Sequence, residues 1–451
     1  MIACSRRCLA LSAVVAQLFA MRAGAGAQAQ PFPNAGVPAM YEKLRHKIAD
    51  IKVFDNHGHP GLPDDRDVDA MSIPDNSSLP FRLREGNPEF VAAAHALFGY
   101  PYADFSPDHV SFLVKEKQRL RESMGPAYFS HILDQVGIET AIANRVSMPS
   151  YLQPSRFRWV FFVDAFLFPL NNQELASRNP DLQLNVPLEE KLLHRYLTQA
   201  HLSQLPGDFA DYLAFASSIL EANKKAGAVG MKFEIAYFRP LLFSDPAQER
   251  AAAIYSKYVR GGTVPEAEYR DLQDFLFRYL LGEAGRLQLP VQIHTAVGAG
   301  DYFNLSGGKV MNLENVLRDP RFESVTFVLL HGGFPYEREA IWLAARKNVY
   351  FDSSLMGLFL YPGELKNALR QWLELFPEKV MYGSDTFPIS DSLGAEETYW
   401  LATESARSAL AAALAEMVSE KEISEEQAVA MAHAYLHDTA ARIYFGNLRT
   451  R

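Results

Sequence analysis

Cysteine is nearly absent from this chain of 451 residues: the two that occur, Cys4 and Cys8, both lie at the N-terminus. If that end is removed, the remaining chain can form no disulfide, no thiolate metal site and no cysteine nucleophile. Any metal must then be bound through nitrogen and oxygen ligands, which suit zinc, manganese, iron or nickel. The scarcity of cysteine therefore excludes thiolate metal sites but leaves metal binding through nitrogen and oxygen ligands open.

An excess of positive charge is also lacking. The formal net charge is -9 and the sequence pI is about 5.8, so the chain has no electrostatic footprint for nucleic acid. After the N-terminus, no run of apolar residues approaches the length of a transmembrane helix. We therefore expect neither a nucleic-acid partner nor, once the N-terminus is removed, a membrane partner.

The first 29 residues have the features of a signal peptide. Arg6 and Arg7 precede an apolar stretch, residues 8–21, that is too short to span a bilayer. Small residues follow, with acceptable cleavage sites at residues 25–27 and 27–29. We expect export to the periplasm or out of the cell, and a single mature domain over residues 30–451. The paired arginines also match a twin-arginine signal, so the export route stays open.

Eight apolar runs alternate with helical patterns along the rest of the chain. Continuous apolar runs of this length are typical of buried parallel strands. They cover residues 51–55, 140–146, 159–165, 229–235, 290–294, 325–331, 349–352 and 379–382. The alternation predicts an α/β fold, a (β/α)₈ TIM barrel with helical insertions after strand 1 and strand 4. Residues 169–187 are predicted to be a linker.

Metal-capable side chains stand at the ends of four predicted strands. They are His57 and His59 after strand one, His294 after strand five, His331 after strand six and Asp385 after strand eight. His57 and His59 are two residues apart on an extended segment, so their imidazoles point the same way. Each residue alone could be a core histidine or a helix cap. Together they predict a metal centre, because the C-terminal ends of barrel strands meet at one mouth.

This ligand order resembles that of the amidohydrolase superfamily. The local sequence is closest to the amidohydrolase-2 branch, including the amidohydrolase domain of nodulin-type, glutamine-synthetase-like proteins. The matching stretches are residues 292–295, 329–340, 348–352 and 382–385. The resemblance extends from residue 51 to the C-terminus and is weak between residues 60 and 187.

The resemblance implies a divalent metal ion, usually Zn²⁺, with manganese, iron or nickel as alternatives. His57, His59 and Asp385 would bind it, and His294 would complete the site or hold a second ion. Asp385 would also pass a proton from the metal-activated water to the leaving group. His331 would either bind metal or polarise a substrate carbonyl, and the two roles stay open.

Whether the site holds one ion or two depends on the end of strand four. In binuclear members of the superfamily a carboxylated lysine bridges two ions there, and Lys232 occupies that place. Glu234 shares its face of the strand and could supply a metal-binding carboxylate without modification. An unmodified Lys232 that neutralises Glu234 or the substrate is the third alternative.

Candidate substrate-binding residues are Arg145, Tyr237 and Arg239. Either arginine could bind a substrate carboxylate, although Arg145 could equally form a structural salt bridge. Relative to nodulin-type members, the segment 236–239 has one extra residue, and such a slip can turn Arg239 to the other face. We expect a small-molecule substrate, with carboxylated compounds among the candidates. The sequence also allows a homo-oligomer.

The expected function is metal-dependent hydrolysis of a C–N (amide-type) or ester/lactone bond in a small polar substrate. One alternative keeps the fold and metal but not the hydrolysis, as in a decarboxylase or a uronate isomerase. Another is a non-catalytic solute-binding barrel, against which the intact ligand set argues. Product analysis separates the first two.

Overall fold

The computed structural model describes residues 39–74 and 77–446. The predicted signal peptide and both cysteines lie outside the described residues. Within them, eight parallel strands form one sheet in the order β1 to β8. The strands are β1 Val53–Gly58, β2 Ile138–Asn144, β3 Phe157–Phe162, β4 Ala228–Phe233, β5 Val291–Ile293, β6 Phe327–Leu329, β7 Val349–Asp352 and β8 Val380–Met381.

The sheet curls into a nearly closed barrel. Each strand pairs in parallel with the next along the chain. Beyond β8 the chain returns to β1, where the Asn56 N–H donates to the Tyr382 carbonyl (3.1 Å) and the Asp385 N–H donates to the His57 carbonyl (2.8 Å). The predicted (β/α)₈ TIM barrel is confirmed. Strand β7 has its predicted bounds, and the others differ by at most three residues at either end.

Helices follow every strand except β2 in the described part of the chain, where β2 leads to β3 without one. They are α1 Ala39–Ala49, α2 Pro88–Phe98, α3 Pro107–Met124, α4 Tyr128–Val136, α5 Gln173–Ala176, α6 Pro180–Gln199, α7 Phe209–Lys225, α8 Gln248–Tyr258, α9 Glu266–Leu287, α10 Glu314–Leu317, α11 Glu337–Ala340, α12 Met356–Phe359, α13 Pro362–Leu375, α14 Ala395–Ser419, α15 Glu425–His433 and α16 Thr439–Phe445. A π-helical turn, Ala434–Asp438, joins α15 to α16. None of these helices combines the length and apolar character that a membrane span requires.

Two insertions interrupt the simple strand–helix alternation, as predicted. The first follows β1 and contains α2, α3 and α4, and the second places α8 and α9 between β4 and β5. An irregular stretch of the first insertion lies against the barrel, where the Val146 N–H donates to the Asp67 carbonyl (3.1 Å). It therefore contributes side chains to the mouth of the barrel.

The predicted linker over residues 169–187 is wrong, because α6 begins inside it at Pro180. Proline is favourable at the first helical position, where its missing N–H needs no partner. The Asn179 side chain caps this end by accepting a hydrogen bond from the Leu182 N–H (2.9 Å). Pro187 lies within the helix, whose buried face, including Leu182 and Leu193, offsets the lost backbone bond.

The last helix packs against the interior of the barrel. Its Ala440 belongs to a buried apolar cluster with Phe54, Val328 and Met381. The Tyr444 ring stacks on Phe54 with 6.1 Å between centroids. This arrangement places the Tyr444 hydroxyl among polar groups beneath the strand ends.

Candidate metal centre

The predicted ligands from strands one, six and eight meet around the Asp385 carboxylate. Its Oδ1 lies 3.1 Å from His57 Nε2 and 3.7 Å from His59 Nε2. Its Oδ2 lies 3.8 Å from His331 Nδ1. All four side chains are buried. The ligand atoms of His57, His331 and Asp385 lie within 4.8 Å of one another, a spacing that suits one metal ion.

The backbone around Asp385 fixes its carboxylate in place. Asp385 has a φ of 54° and His331 a φ of 62°, a left-handed conformation that is uncommon outside glycine and concentrates at functional sites. The preceding Ser384 donates two hydrogen bonds to Asp55, from its N–H (2.7 Å) and its Oγ (2.6 Å). Burial nevertheless raises the pKa of Asp55 to about 8. The chain is thus held in the strained turn that directs Asp385 to the histidines.

The tautomer of His57 follows from its contact with Gln292. The Gln292 Nε2 donates to the Asn56 carbonyl and to the Tyr444 hydroxyl, both at 2.8 Å. Its Oε1, an acceptor only, therefore faces His57 Nδ1 at 3.0 Å. The ring proton is on Nδ1, and Nε2 directs a lone pair at Asp385. A metal-binding histidine is commonly oriented in this way by a hydrogen bond at its other nitrogen.

These residues fit a divalent cation. Burial lowers the pKa of His57 well below its usual 6.5, so the imidazole is neutral at neutral pH. His57 Nε2 has no hydrogen-bond partner among the described residues, although a carboxylate oxygen lies 3.1 Å away. Two acceptors at that distance repel each other unless a cation lies between them. Neutral imidazole and carboxylate are the ligand forms that zinc and related ions require.

His294 and His331 form a second pair at the same mouth. His294 Nε2 donates to the Val297 carbonyl (2.8 Å), so its Nδ1 presents a lone pair 2.9 Å from His331 Nε2. Burial lowers the pKa of His331 to about 3 and that of His294 well below 6.5. The Tyr237 ring lies 4.5 Å from that of His294. The strand-five histidine and one predicted substrate-binding residue thus adjoin the centre.

A third group lies on the other side of His59. His59 Nδ1 is 2.9 Å from Asp69 Oδ2, without the alignment of a hydrogen bond. Glu234 completes this group, whose ligand atoms lie within 4.8 Å of one another. His59 therefore stands between Asp385 and two further carboxylates. Asp69 belongs to the irregular stretch after β1 and was missed by the sequence analysis.

Lys232 is buried beside Glu234. Its Nζ lies 3.3 Å from Glu234 Oε1 and 3.2 Å from Asn144 Oδ1. This pairing is what we expect of an unmodified lysine that neutralises Glu234. Whether Lys232 is carboxylated stays a prediction.

The two predicted arginines are paired within the protein. Arg145 donates to the Asp65 carboxylate and to the carbonyls of Pro60 and Ser147. Arg239 lies 2.6 Å from Asp274 Oδ1 and donates to Gln273 and to the Leu242 carbonyl. Their predicted role in binding a substrate carboxylate stays a prediction.

Two further residues were missed although the sequence held a signal for them. Asp164 follows β3 as Asp385 follows β8, which is the strand-end pattern already used for the metal ligands. Its Oδ2 accepts a hydrogen bond from the Glu234 N–H (2.7 Å). Gln292 precedes His294 by two residues and therefore shares its side of β5.

Comparisons with known proteins show which family the chain resembles. The profile of the amidohydrolase family (Amidohydro_2) matches residues 204–446, which is more than half of the chain. Protein fluG of Emericella nidulans is 28% identical over 281 residues, covering 56% of this chain and 31% of that protein. The chain thus spans about a third of the length of this relative.

Solved structures share the fold. A protein from Lactobacillus casei, provisionally described as a metal-dependent hydrolase, has a TM-score of 0.64 and 17% identity over 90% of this chain and 99% of its own. Uronate isomerase from Thermotoga maritima has a TM-score of 0.59 and 13% identity over 90% and 97%. Glucuronate isomerase from Caulobacter crescentus has a TM-score of 0.55 and 16% identity over 94% and 97%. With the family profile matched from just before α7 to the last helix, the chain belongs to the amidohydrolase family.

Proposed function

We propose that this protein is a metal-dependent hydrolase that cleaves an amide-type C–N bond or an ester or lactone bond in a small polar substrate. The observation that supports it is the Asp385 carboxylate, held 3.1 Å from the unpartnered Nε2 of a neutral His57. Such a pair can hold a cation and still offer a carboxylate oxygen to a water molecule.

His57, His59 and Asp385 would hold the divalent ion, usually zinc in this family, with His294 and His331 completing its surroundings. When bound, the ion supplies Lewis acidity, which polarises a substrate carbonyl and lowers the pKa of water. The protein supplies the orientation: Gln292 fixes His57, and the Val297 carbonyl fixes His294.

Asp385 is suited to move the proton. Its backbone N–H is anchored on the His57 carbonyl at 2.8 Å, so the carboxylate has a fixed place beside the histidines. A carboxylate there can accept a proton from water and return it to the leaving nitrogen or oxygen, acting as general base and then general acid.

Tyr237 is suited to contact the substrate. Burial raises the pKa of its hydroxyl well above 10, helped by the negative charges of Glu234 and Asp385. The phenol therefore stays protonated at neutral pH and can donate a hydrogen bond to a substrate oxygen beside His294.

Product analysis tests the proposal. The metal-loaded mature chain is incubated with amides, lactones, uronates and aromatic acids in ¹⁸O-labelled water. Hydrolysis predicts one ¹⁸O atom in the acid product and a loss of at least about 10²-fold in Asp385→Asn, the lower end for a general base. Asp391→Asn, at an exposed position six residues further on, is the matched control.

Turnover without incorporation of solvent oxygen, as in isomerisation or decarboxylation, would contradict hydrolysis while keeping the metal centre. Substrate binding with no turnover of any compound in the panel would favour the solute-binding alternative.

A further inference from the structure

Four carboxyl groups cluster beside the metal centre, on the far side of His59. We call Asp69, Asp164, Glu189 and Glu234 the acidic cluster. Glu189 comes from α6, Glu234 follows β4, Asp164 follows β3 and Asp69 lies in the first insertion. Lys232 lies among these carboxyl groups, with its Nζ 3.3 Å from Glu234 Oε1. Negative charge therefore exceeds positive charge inside this part of the barrel.

Glu189 is the most unusual member of the acidic cluster. Its side chain is fully buried, and neither carboxylate oxygen has a hydrogen-bond partner among the described residues. The charged groups that act on it are Asp164, Glu234 and Asp69, all acidic. A buried carboxyl group without a partner is costly, so this one is expected to serve a ligand.

Other oxygens of the acidic cluster are free in the same way. Asp164 Oδ1 and Glu234 Oε2 are buried and also lack a hydrogen-bond partner within the described residues. The other oxygen of each carboxyl group has a partner. Asp164 Oδ2 accepts a hydrogen bond from the Glu234 N–H, and Glu234 Oε1 accepts one from Lys232 Nζ.

Geometry adds a specific place for a positive charge. The ligand atoms of His59, Asp69 and Glu234 lie within 4.8 Å of one another. His59 Nδ1 is 2.9 Å from Asp69 Oδ2, close to the spacing of about 3 Å that two ligands of one ion have at bond lengths near 2.1 Å. An organic ammonium group, with three N–H donors, can use the same acceptors.

We propose that the acidic cluster is a cation-binding site next to the metal centre, filled by a second divalent ion or by the ammonium group of the substrate. This inference rests on the proposed function for its place beside the reacting bond. It also revises the expected substrate. Both candidate arginines are paired internally, so the cluster selects an amine-bearing substrate or a second ion rather than a carboxylate.

The test has an inorganic and an organic arm. Metal-depleted full chain is titrated with Mn²⁺, and bound ions are counted from the free Mn²⁺ signal. Separately, the metal-free and the singly zinc-loaded chain are titrated with propylammonium and, as the charge-reversed control, with propionate. Wild type is compared with Glu189→Gln and Glu234→Gln. The matched control is Glu190→Gln, which neighbours Glu189 on α6 and accepts instead from Asn172.

Removal of one charged acceptor is expected to weaken cation binding at least about tenfold. Loss of the second Mn²⁺ in the two variants, with the first retained, identifies a metal ion as occupant. Loss of propylammonium binding in the same variants identifies the substrate cation. Glu190→Gln should match wild type in both arms. If Glu189→Gln fails to fold by circular dichroism, the half-buried Asp69→Asn takes its place.

Two results overturn the cation site. In the first, wild type binds no second Mn²⁺ and shows no preference for propylammonium over propionate. In the second, wild type and the variants bind both cations equally. Either would leave the metal centre intact if the first ion is retained. A wild-type chain that binds no ion at all would contradict the proposed function instead. The propylammonium titration of that chain would still decide the cation site.

Discussion

Gln292→Met should weaken metal binding without unfolding the barrel. Gln292 Oε1 accepts the Nδ1 proton of His57 at 3.0 Å and so leaves His57 Nε2 free for a metal ion. Methionine keeps the length and apolar stem of the side chain but cannot accept that hydrogen bond. The buried Nδ1–H loses its partner, and the tautomer with the proton on Nε2, which cannot bind metal, becomes accessible.

The expected size follows from comparable sites. Loss of the group that orients a metal-binding histidine costs about 10- to 100-fold in affinity, equivalent to about 1.4–2.8 kcal/mol. The dissociation constant for Zn²⁺ is measured by competition with a chromophoric chelator, with circular dichroism to establish folding. Tyr444→Phe should cost less, because it removes a hydroxyl that touches Gln292 and Asn56 while the ring stays on Phe54.

Gln199→Met is the control, since Gln199 lies on α6 and donates to Asn223. It should bind Zn²⁺ as wild type does. A folded Gln292→Met variant with an affinity within about threefold of wild type would refute the reasoning, because that is well below the range for an orienting group.

Three other predictions address charge and stability. Lys232→Ala should keep the metal stoichiometry and raise KM, because it removes binding that the substrate and the transition state share equally. Loss of one ion, with activity restored by bicarbonate and a short carboxylic acid, would instead show that a carboxylated Lys232 bridges two ions. Glu89→Ala removes the partner of the buried Arg82, 2.6 Å away, and should cost about 3–5 kcal/mol of unfolding free energy in urea; a cost under about 1 kcal/mol would place the pair among surface ion pairs. Burial lowers the pKa of His331 to about 3, below its unfolded value of about 6.5. Its contribution to stability is thus complete above pH 6.5 and is lost as pH falls toward 3, so the Tm of metal-free protein should drop over that window, and a Tm that holds or rises would contradict this.

The barrel and the meeting of the candidate ligands at its mouth were predictable because both depend on local patterns. Strand β7 ends where its apolar run ends, at Asp352. His294, His331 and Asp385 follow such runs, and in a barrel all strand ends meet. The positions of these residues in the sequence were therefore enough to predict that they lie close together.

The pairing of the charged residues could not be predicted in the same way. Arg145 and Arg239 are neutralised by Asp65 and Asp274, which come from other segments and have no fixed spacing to them. Asp69 reaches His59 from an irregular stretch, where no period relates position to direction. Tertiary contacts alone decide such partners.

Helix α6 shows a third limit. Residues 169–187, which include three prolines, were predicted to be a linker, yet Asn179 caps a helix that continues through Pro187. Burial of one face decided the outcome against local propensity. The same helix carries Glu189, two residues beyond the predicted linker.

Metal content tests the central claim most directly. The mature protein is purified without chelators after expression in metal-supplemented medium, and its divalent transition metals are counted by elemental analysis. The account predicts about one to two equivalents per chain, falling below about 0.2 in the double variant His57→Ala/Asp385→Ala. Fewer than about 0.2 equivalents in folded wild-type protein, or equal content in the double variant, would contradict it.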